Sequence, residues 1–471
     1  MPAAKSGNSI YITGSGNTLA SITTDIADST FIEKTSTSPD IYTVKGGALR
    51  YVRIRNGGTL IIGDSTDYSV NETFEFDNDV ANEIRFYVDA GGRLEQYGDT
   101  TIDWFVGTQR SYYTYIYGAL YIRGNETYKP IWQNYQRLYF YERQNNNTYV
   151  DDIWDIDGMI IGSACITNYY AIYFNTIGKV RNHSFKNIIF DKSYGKGFNF
   201  YALRIPYDLT GIRNITFEGL TFEDIGNYGF YGTSGRPHLK DCVFNTTASW
   251  KLLCYGTGAP IGLKMVRSYD FNTEHDNGQK FLYVEGCEFG NYNNKSCVLA
   301  QYNSMILIKD TEWKHDAGDS IQVAYGAVVM MWTGNTFTGG REYYDLDYNG
   351  AIQWVYGLEL TINDENGDPL EGAVVMIEQS QGKEKFVFNT GSDGKMMNDH
   401  DLTVALLSNI HQYGNSKTTD IEYWSDDSNG TSHNVVVYAD GYRPHSTSYV
   451  MDQERSETIQ LRKIDAHSGT F

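Results

Sequence analysis

The sequence predicts an all-β chain: a stack of short coils whose strands pair in parallel, followed by a small antiparallel sandwich. Three observations predict it. A short pattern recurs between Phe185 and Phe337. Helix signals are weak, while tyrosine (39) and glycine (47) are abundant and proline (8) is scarce, which suits strands and tight corners. Toward the end of the chain, alternating apolar residues flank turns rich in Asn, Asp and Gly, as antiparallel hairpins do.

The recurring pattern comes first. An aromatic falls at Phe190, Phe222, Phe244, Phe271, Phe289, Trp313 and Phe337. Five residues before each aromatic is an apolar residue: Phe185, Phe217, Leu239, Val266, Val284, Ile308 and Trp332. Three before it is a turn former: Asn187, Gly219, Asp241, Ser268, Gly286, Asp310 and Gly334. The pattern reads as strand, tight corner, strand, once per coil. Strand residues alternate faces, so the apolar and aromatic columns both point inward. Each coil buries its face only against its neighbours, as in a solenoid. The column four before the aromatic points outward and reads Lys186, Glu218, Lys240, Arg267, Glu285, Lys309 and Thr333. Opposite charges on adjacent coils support the register.

The runs Lys240-Asp241-Cys242-Val243-Phe244-Asn245 and Glu285-Gly286-Cys287-Glu288-Phe289, with strands such as Phe281-Leu282-Tyr283-Val284, resemble the right-handed parallel β-helix family. The resemblance implies an architecture and no particular activity, because one fold hosts many. It places the β-helix over residues 42–340, with regular coils over 181–340.

Residues 1–41 are small, polar and Thr/Ser-rich; Ser9-Ile10-Tyr11-Ile12 reads as one strand and the rest as an N-terminal arm or cap. From Tyr42 to Ile177 a looser pattern follows. Gly-Gly-x-Leu recurs from Gly46, Gly57 and Gly91, with a degenerate copy at Tyr117-Gly118-Ala119-Leu120. These glycines make corners of irregular coils, where positive φ is cheap. The stretch Tyr112–Tyr149, dense in Tyr, Asn and Gln, has the composition of a carbohydrate-binding or protein-contact surface, and equally of a wet sheet face. Residues 341–356 read as a cap and linker. Beyond them, Asn366-Gly367-Asp368-Pro369-Leu370-Glu371-Gly372-Ala373-Val374-Val375, Ser392-Asp393-Gly394 and Ala439-Asp440-Gly441-Tyr442 are similar to the carboxypeptidase regulatory-like, transthyretin-like β-sandwich family. That likeness implies an Ig-like spacer or binding domain over 357–471, without catalytic residues.

The formal charge of −20 argues against nucleic acid as a partner. No apolar run approaches the roughly 20 residues of a membrane helix. The start, Met-Pro-Ala-Ala-Lys-Ser-Gly-Asn, lacks an apolar h-region, so export is not expected; a trimmed chain would be extracellular. The cysteines are Cys165, Cys242, Cys254, Cys287 and Cys297. Their odd number and the lack of CxxC argue against a disulfide framework or zinc ribbon. Cys242 and Cys287 read as buried thiols separated by the Phe271 coil.

Asp345-Leu346-Asp347-Tyr348-Asn349-Gly350 opens like a calcium loop, but Tyr356 stands where the twelfth-position Glu belongs. It reads as an Asx-rich turn. N-x-S/T occurs at Asn71, Asn125, Asn146, Asn182, Asn214, Asn245, Asn294 and Asn429, about as often as chance allows. Glu223, Asp224, Glu288, Glu312, Asp316 and Asp319 are outward or loop acids. Asp191 and Glu223, adjacent in the column after the aromatic, are the best pair for glycan hydrolysis, though a solvated surface pair explains them as well. His183, His238 and His275 show no ligand spacing, and no metal or cofactor motif appears.

The expectation is a non-enzymatic structural protein of a phage particle: a capsid decoration protein, head fibre or tail appendage. Its partners would be other capsid or tail proteins, further copies of itself (a trimer among the forms) and a host-surface glycan. A tailspike-like polysaccharide depolymerase and a secreted adhesin are the alternatives.

Overall fold

The structure is a computed structural model. It describes residues 3–464 apart from stretches between strands, the longest of them 256–281. The chain is nearly all strand; Leu19–Ile26 is the single α-helix among the described residues. Thr18 and Ser21 close its N-terminus with a capping box, and Leu19 and Ile22 bury its apolar side.

Most strands fall into two large sheets. The first has thirteen strands, from Ala3–Ser6 and Ser9–Ile12 through Arg50–Ile54, Ile84–Val88, Tyr113–Ile116, Arg137–Phe140 and Tyr170–Phe174 to Tyr344–Asp347. After its first hairpin every pairing is parallel. The second contains two parallel ladders. One passes through Thr59–Ile62, Arg93–Tyr97, Ala119–Arg123 and Trp154–Gly162. The other passes through Asp40–Val44, Glu72–Phe76, Thr100–Asp103, Ile131–Gln133 and again Trp154–Gly162. The chain visits the first sheet and then each ladder in turn.

The turn column shows how sequence makes the corner. Asn187, Gly219, Asp241, Gly286, Asp310 and Gly334 all have positive φ, between 48° and 78°. This region admits Gly freely and Asn or Asp with local side-chain help. Asx and Gly alternate for a packing reason. A Cβ on Gly286 would lie 2.3 Å from Asp241 Oδ1, and one on Gly219 would lie 2.7 Å from Asn187 Oδ1. Each Asx side chain fills the space its neighbour leaves empty.

The aromatic column forms one inner stack. Phe190–Phe222, Phe222–Phe244, Phe244–Phe289, Phe289–Trp313 and Trp313–Phe337 have ring centroids 4.8, 4.6, 4.9, 5.6 and 4.7 Å apart. By register it continues backward through Ile161, Trp132, Ile102, Phe74 and Tyr42. The outward charges meet as expected: Lys186–Glu218 at 2.8 Å, Lys240–Glu218 at 3.5 Å and Lys309–Glu285 at 3.7 Å.

Four expectations are corrected. The Phe271 coil is not a rung of this stack. Val243–Asn245 pairs directly with Glu288–Gly290, while Val266–Phe271 lies outside the described residues. Cys242 and Cys287 are therefore neighbours, and Cys242 N–H donates to Cys287 Sγ at 3.4 Å. Both are buried and free, and burial pushes the Cys287 thiol well up. Next, Trp332 does not continue the apolar column, because Met331 pairs with Ile308. One extra residue in that corner flips Trp332 outward, since strand side chains alternate. Third, within the arm or cap over 1–41 Ser9–Ile12 is the expected strand and pairs with Arg50–Ile54, but the rest is not an extended arm: Asn17–Thr18 pairs with Thr59–Ile62 and Asp40–Val44 with Glu72–Phe76.

Last, the cap and linker over 341–356 contains Tyr344–Asp347 and the start of the strand Ala351–Asn363. Asp345 and Asp347 pair with Gln322 and Ala324, so this D-x-D segment is strand, not turn. The first residues of Ala351–Asn363 pair with Val328–Met331, and its last with Arg455–Gln460. A five-stranded antiparallel sheet, Met396–Met397, Lys385–Thr390, Val374–Gln379, Thr431–Tyr438 and His445–Met451, completes the C-terminal part. The core of this part, including Val375, Phe388 and Val437, also takes in Leu307, Val328 and Met330 from the parallel sheet.

Candidate functional site

The outward face of the first sheet carries the densest constellation. Val52, Ile54, Phe86, Val88, Ile116, Leu138 and Phe140 are buried in the core. Their neighbours along each strand point the other way. Register places Tyr11, Arg53, Tyr87, Tyr115, Tyr139 and Tyr173 on successive rungs. Tyr87–Tyr115 and Tyr115–Tyr139 stack at 5.0 and 5.3 Å, within 14° and 10° of parallel. Tyr117–Tyr141 forms a second column at 5.1 Å. Parallel strands lie about 4.8 Å apart, so the sheet itself imposes this ring spacing. The rings spend their faces on one another and turn edges and hydroxyls outward. Burial first, then the neighbouring Tyr87, Tyr139 and Tyr141, push the Tyr115 hydroxyl up to about 12.

Arginines border these rings. Arg53 lies over the Tyr87 ring at 4.8 Å and forks onto Asp89 at 3.0 and 2.6 Å. The exposed Arg55 lies over Tyr11 at 3.7 Å. Arg85 pairs in register with Tyr51 and acts electrostatically on Tyr115. Among the described residues, Arg53, Arg55 and Arg85 thus border the tyrosines, with Asp89 paired to Arg53. Composition pointed to Tyr112–Tyr149, which supplies Tyr115, Tyr117, Tyr139 and Tyr141. Tyr11, Tyr87 and Tyr173 lie outside that stretch. The missed signal was tyrosine at alternate strand positions.

The second constellation is a polar ridge on the other sheet. One outward column reads Thr43, Glu75, Asp103 and Gln133. One residue beyond the Trp132–Ile161 rung, it continues as Gly162, Asp191, Glu223, Asn245, Gly290, Lys314 and Thr338. The structure thus brings Asp191 and Glu223 onto adjacent rungs, and adds an unforeseen pair, Glu75 and Asp103. Burial pushes the Glu75 carboxyl up; the Thr43 hydroxyl, donating at 3.1 Å, opposes this, and Asp103 and Asp77 add to it. Asp103 accepts from Gln133 at 2.7 Å and Asn134 at 2.9 Å. This pair escaped the sequence reading because no fixed spacing there reveals the register.

Glu288 and Glu312 also stand on adjacent rungs, with Lys314 bridging them at 2.8 and 3.2 Å. The Thr338 hydroxyl and then Lys314 hold the Glu312 carboxyl below its usual range. Asp224, Asp316, Asp319 and His275 lie outside the described residues. His183 is buried against Trp154, accepts from Trp154 N–H at 3.0 Å, and is pushed down to about 4 by burial. His238 Nε2 lies 2.9 Å from Glu285. Among the described residues, no group of three or more His, Cys, Asp or Glu is placed to hold a metal ion. No described helix is long and apolar enough to cross a membrane.

A cavity of about 260 Å³ opens where the two parts of the chain meet, lined by Trp332, Phe337, Trp354 and Tyr356 among others. Beside it the Trp332 indole N–H and the Gly357 N–H donate to the two oxygens of Glu454, each at 2.8 Å.

No family model and no curated protein sequence matches the chain. Among solved structures, the chain has a likeness to the crystal structure of chlorocatechol 1,2-dioxygenase from Pseudomonas putida, at 14% identity and a TM-score of 0.15. The likeness spans 23% of this chain and 60% of that one, less than two thirds of its length. At that TM-score it carries no argument about fold or activity.

Proposed function

We propose that the chain is a right-handed parallel β-helix with a C-terminal carboxypeptidase regulatory-like sandwich, and that it serves as a non-enzymatic structural protein of a phage particle. In this reading it is a decoration protein, head fibre or tail appendage that works through contacts with other virion proteins or a host surface. The observation that carries the reading is the stacked tyrosine face. Its rings are ordered by one another, so presenting them to a partner loses little side-chain entropy. Tyr and Arg are also the residues that dominate protein interfaces. The inner columns are filled by apolar and aromatic side chains, which leaves the outer faces to do the work. The test is mass spectrometry and immunogold labelling of purified particles. Stoichiometric, surface-accessible copies are expected; absence from particles refutes the reading.

A depolymerase is the second reading, favoured by the acid pairs Asp191/Glu223 and Glu75/Asp103 on adjacent rungs. Their strand spacing of about 4.8 Å suits a pair of carboxyls acting across one glycosidic bond. Release of reducing ends from a capsular polysaccharide, lost in Asp191→Asn/Glu223→Gln or Glu75→Gln/Asp103→Asn, would establish it in place of the first.

A further inference from the structure

We propose that the cavity where the two parts of the chain meet binds one neutral sugar ring. The proposal deepens the functional reading and takes from it the host surface as the source of the sugar.

Two local departures from regular geometry build the cavity. In the parallel sheet one extra residue turns Met331 inward, opposite Ile308, and Trp332 outward. On the next rung Trp354 pairs with Met331, and the register of Ala351–Asn363 against Ala405–Gly414 shifts between Trp354 and Val355. A shift of this kind re-aims the side chains beside it. Trp332, Trp354 and Tyr356 line one cavity of about 260 Å³ together with Phe337, the last ring of the inner stack. All four are half-buried, so they wall the space without filling it. Aromatic walls with a few polar groups are the make-up of a small-molecule site. The volume is that of roughly nine waters at about 30 Å³ each, which suits one six-membered ring with its hydroxyls.

The polar groups decide the ligand's charge. The lining itself contains no charged residue. Lys309, over the Trp332 ring at 4.5 Å, lies 3.7 Å from both Glu285 and Asp310. Both oxygens of Glu454 already accept from Trp332 and Gly357. Asn335 is committed too: its Oδ1 accepts from Thr311 N–H at 3.1 Å, and its Nδ2 donates to the carbonyls of Ile308 and Trp332 at 3.1 and 2.6 Å. The Thr333 and Tyr356 hydroxyls also line the cavity, and among the described residues neither has a hydrogen-bond partner. A neutral ligand with an apolar C–H face and hydroxyls of its own fits this division. Its C–H face lies on an electron-rich ring, and its hydroxyls exchange hydrogen bonds with Thr333 and Tyr356.

Titration of the full chain with the methyl glycosides of glucose, galactose, mannose and N-acetylglucosamine tests this, read by indole fluorescence and calorimetry. At least one should bind saturably with a Kd of about 1 mM, the affinity a ligand of about a dozen atoms reaches. Tyr356→Phe and Thr333→Val each remove one hydroxyl and leave the walls, and should weaken binding about threefold to tenfold. Trp354→Ala should abolish it. Melts show whether that variant is folded, and the two hydroxyl variants carry the test if it is not. No saturation by any glycoside well above that Kd overturns the proposal, as does binding that all three variants retain. Tighter binding of tetramethylammonium also overturns it, by making the rings a cation site. An oligosaccharide ending in the same sugar should compete with the methyl glycoside; its exclusion overturns the host-surface source. A chain present in purified particles that binds no glycoside defeats this inference and leaves the functional reading standing. Glycoside binding by a chain absent from particles does the reverse.

Discussion

Phe289→Ala tests the inner aromatic stack most directly. The ring is fully buried and lies between Phe244 at 4.9 Å and Trp313 at 5.6 Å, within 17° and 23° of parallel. Truncating a buried Phe costs about 3–5 kcal/mol through lost transfer energy and the cavity left behind. Each stacked pair contributes about 0.5–1.5 kcal/mol within such a cost. The backbone on both sides belongs to parallel rungs whose spacing the hydrogen bonds hold, so the cavity cannot collapse and the upper part of the range applies. Phe337 is the internal control. It ends the stack, is only partly buried, and has Trp313 at 4.7 Å. Phe337→Ala should cost roughly half as much, scaling with burial. Urea unfolding gives the total, and hydrogen exchange gives the location. The strand Glu288–Gly290 pairs with Val243–Asn245 on one side and Glu312–Lys314 on the other, so lost protection should centre there. A Phe289→Ala loss below about 1 kcal/mol, or one no larger than that of Phe337→Ala, would refute the stack as a source of stability.

Three further outcomes follow from the geometry. Gly286→Ala should cost about 1–2 kcal/mol, since φ is 62° and the new Cβ would sit 2.3 Å from Asp241 Oδ1. Adding Asp241→Gly should recover part of that loss in a double-mutant cycle; strict additivity would rule out the contact. His183 has its folded pKa lowered from 6.5 to about 4, so the unfolded chain binds the proton first and stability falls as pH drops from about 6.5 toward 4, by about 3 kcal/mol in all. Melts across that window should lose most of the slope in His183→Gln, and an unchanged slope would assign it to other groups. Asp191→Asn with Glu223→Gln, a half-buried and an exposed side chain, should leave the melting temperature within a degree or two, as surface substitutions do, and should alter no particle property.

The parallel strands between Phe185 and Phe337 were legible because their signal is local. An apolar residue, a turn former and an aromatic stand at fixed offsets within one corner, and Asn187 through Phe222 show it without ambiguity. Two errors came from extending the rule. Val266–Phe271 satisfies the pattern, yet the strand before it pairs with the strand after it. At Trp332 a single added residue changed the face, which no composition reveals. Beyond Ser9–Ile12 the N-terminal strands were hidden by polar residues such as Asn17, which is buried through side-chain hydrogen bonds to backbone. The register of the tyrosine face, of which composition showed only the Tyr112–Tyr149 part, and the Glu75/Asp103 pair were hidden for another reason. They join residues about thirty positions apart, and only the pairing register says which residues become neighbours.

The alternation in the turn column constrains how such a chain can change length. Asn187, Gly219, Asp241, Gly286, Asp310 and Gly334 alternate because each Asx oxygen occupies the space beside the next residue's Cα. Deleting the coil that contains Gly286 would set Asp310 directly after Asp241, and its Cβ would fall where that oxygen already lies. Duplicating one coil would set two Asx or two Gly residues in succession, giving a clash or a gap. Deletions and duplications that span two coils keep the parity intact. Over generations this stretch should grow and shrink by even steps, and related chains should differ in length there by pairs of coils.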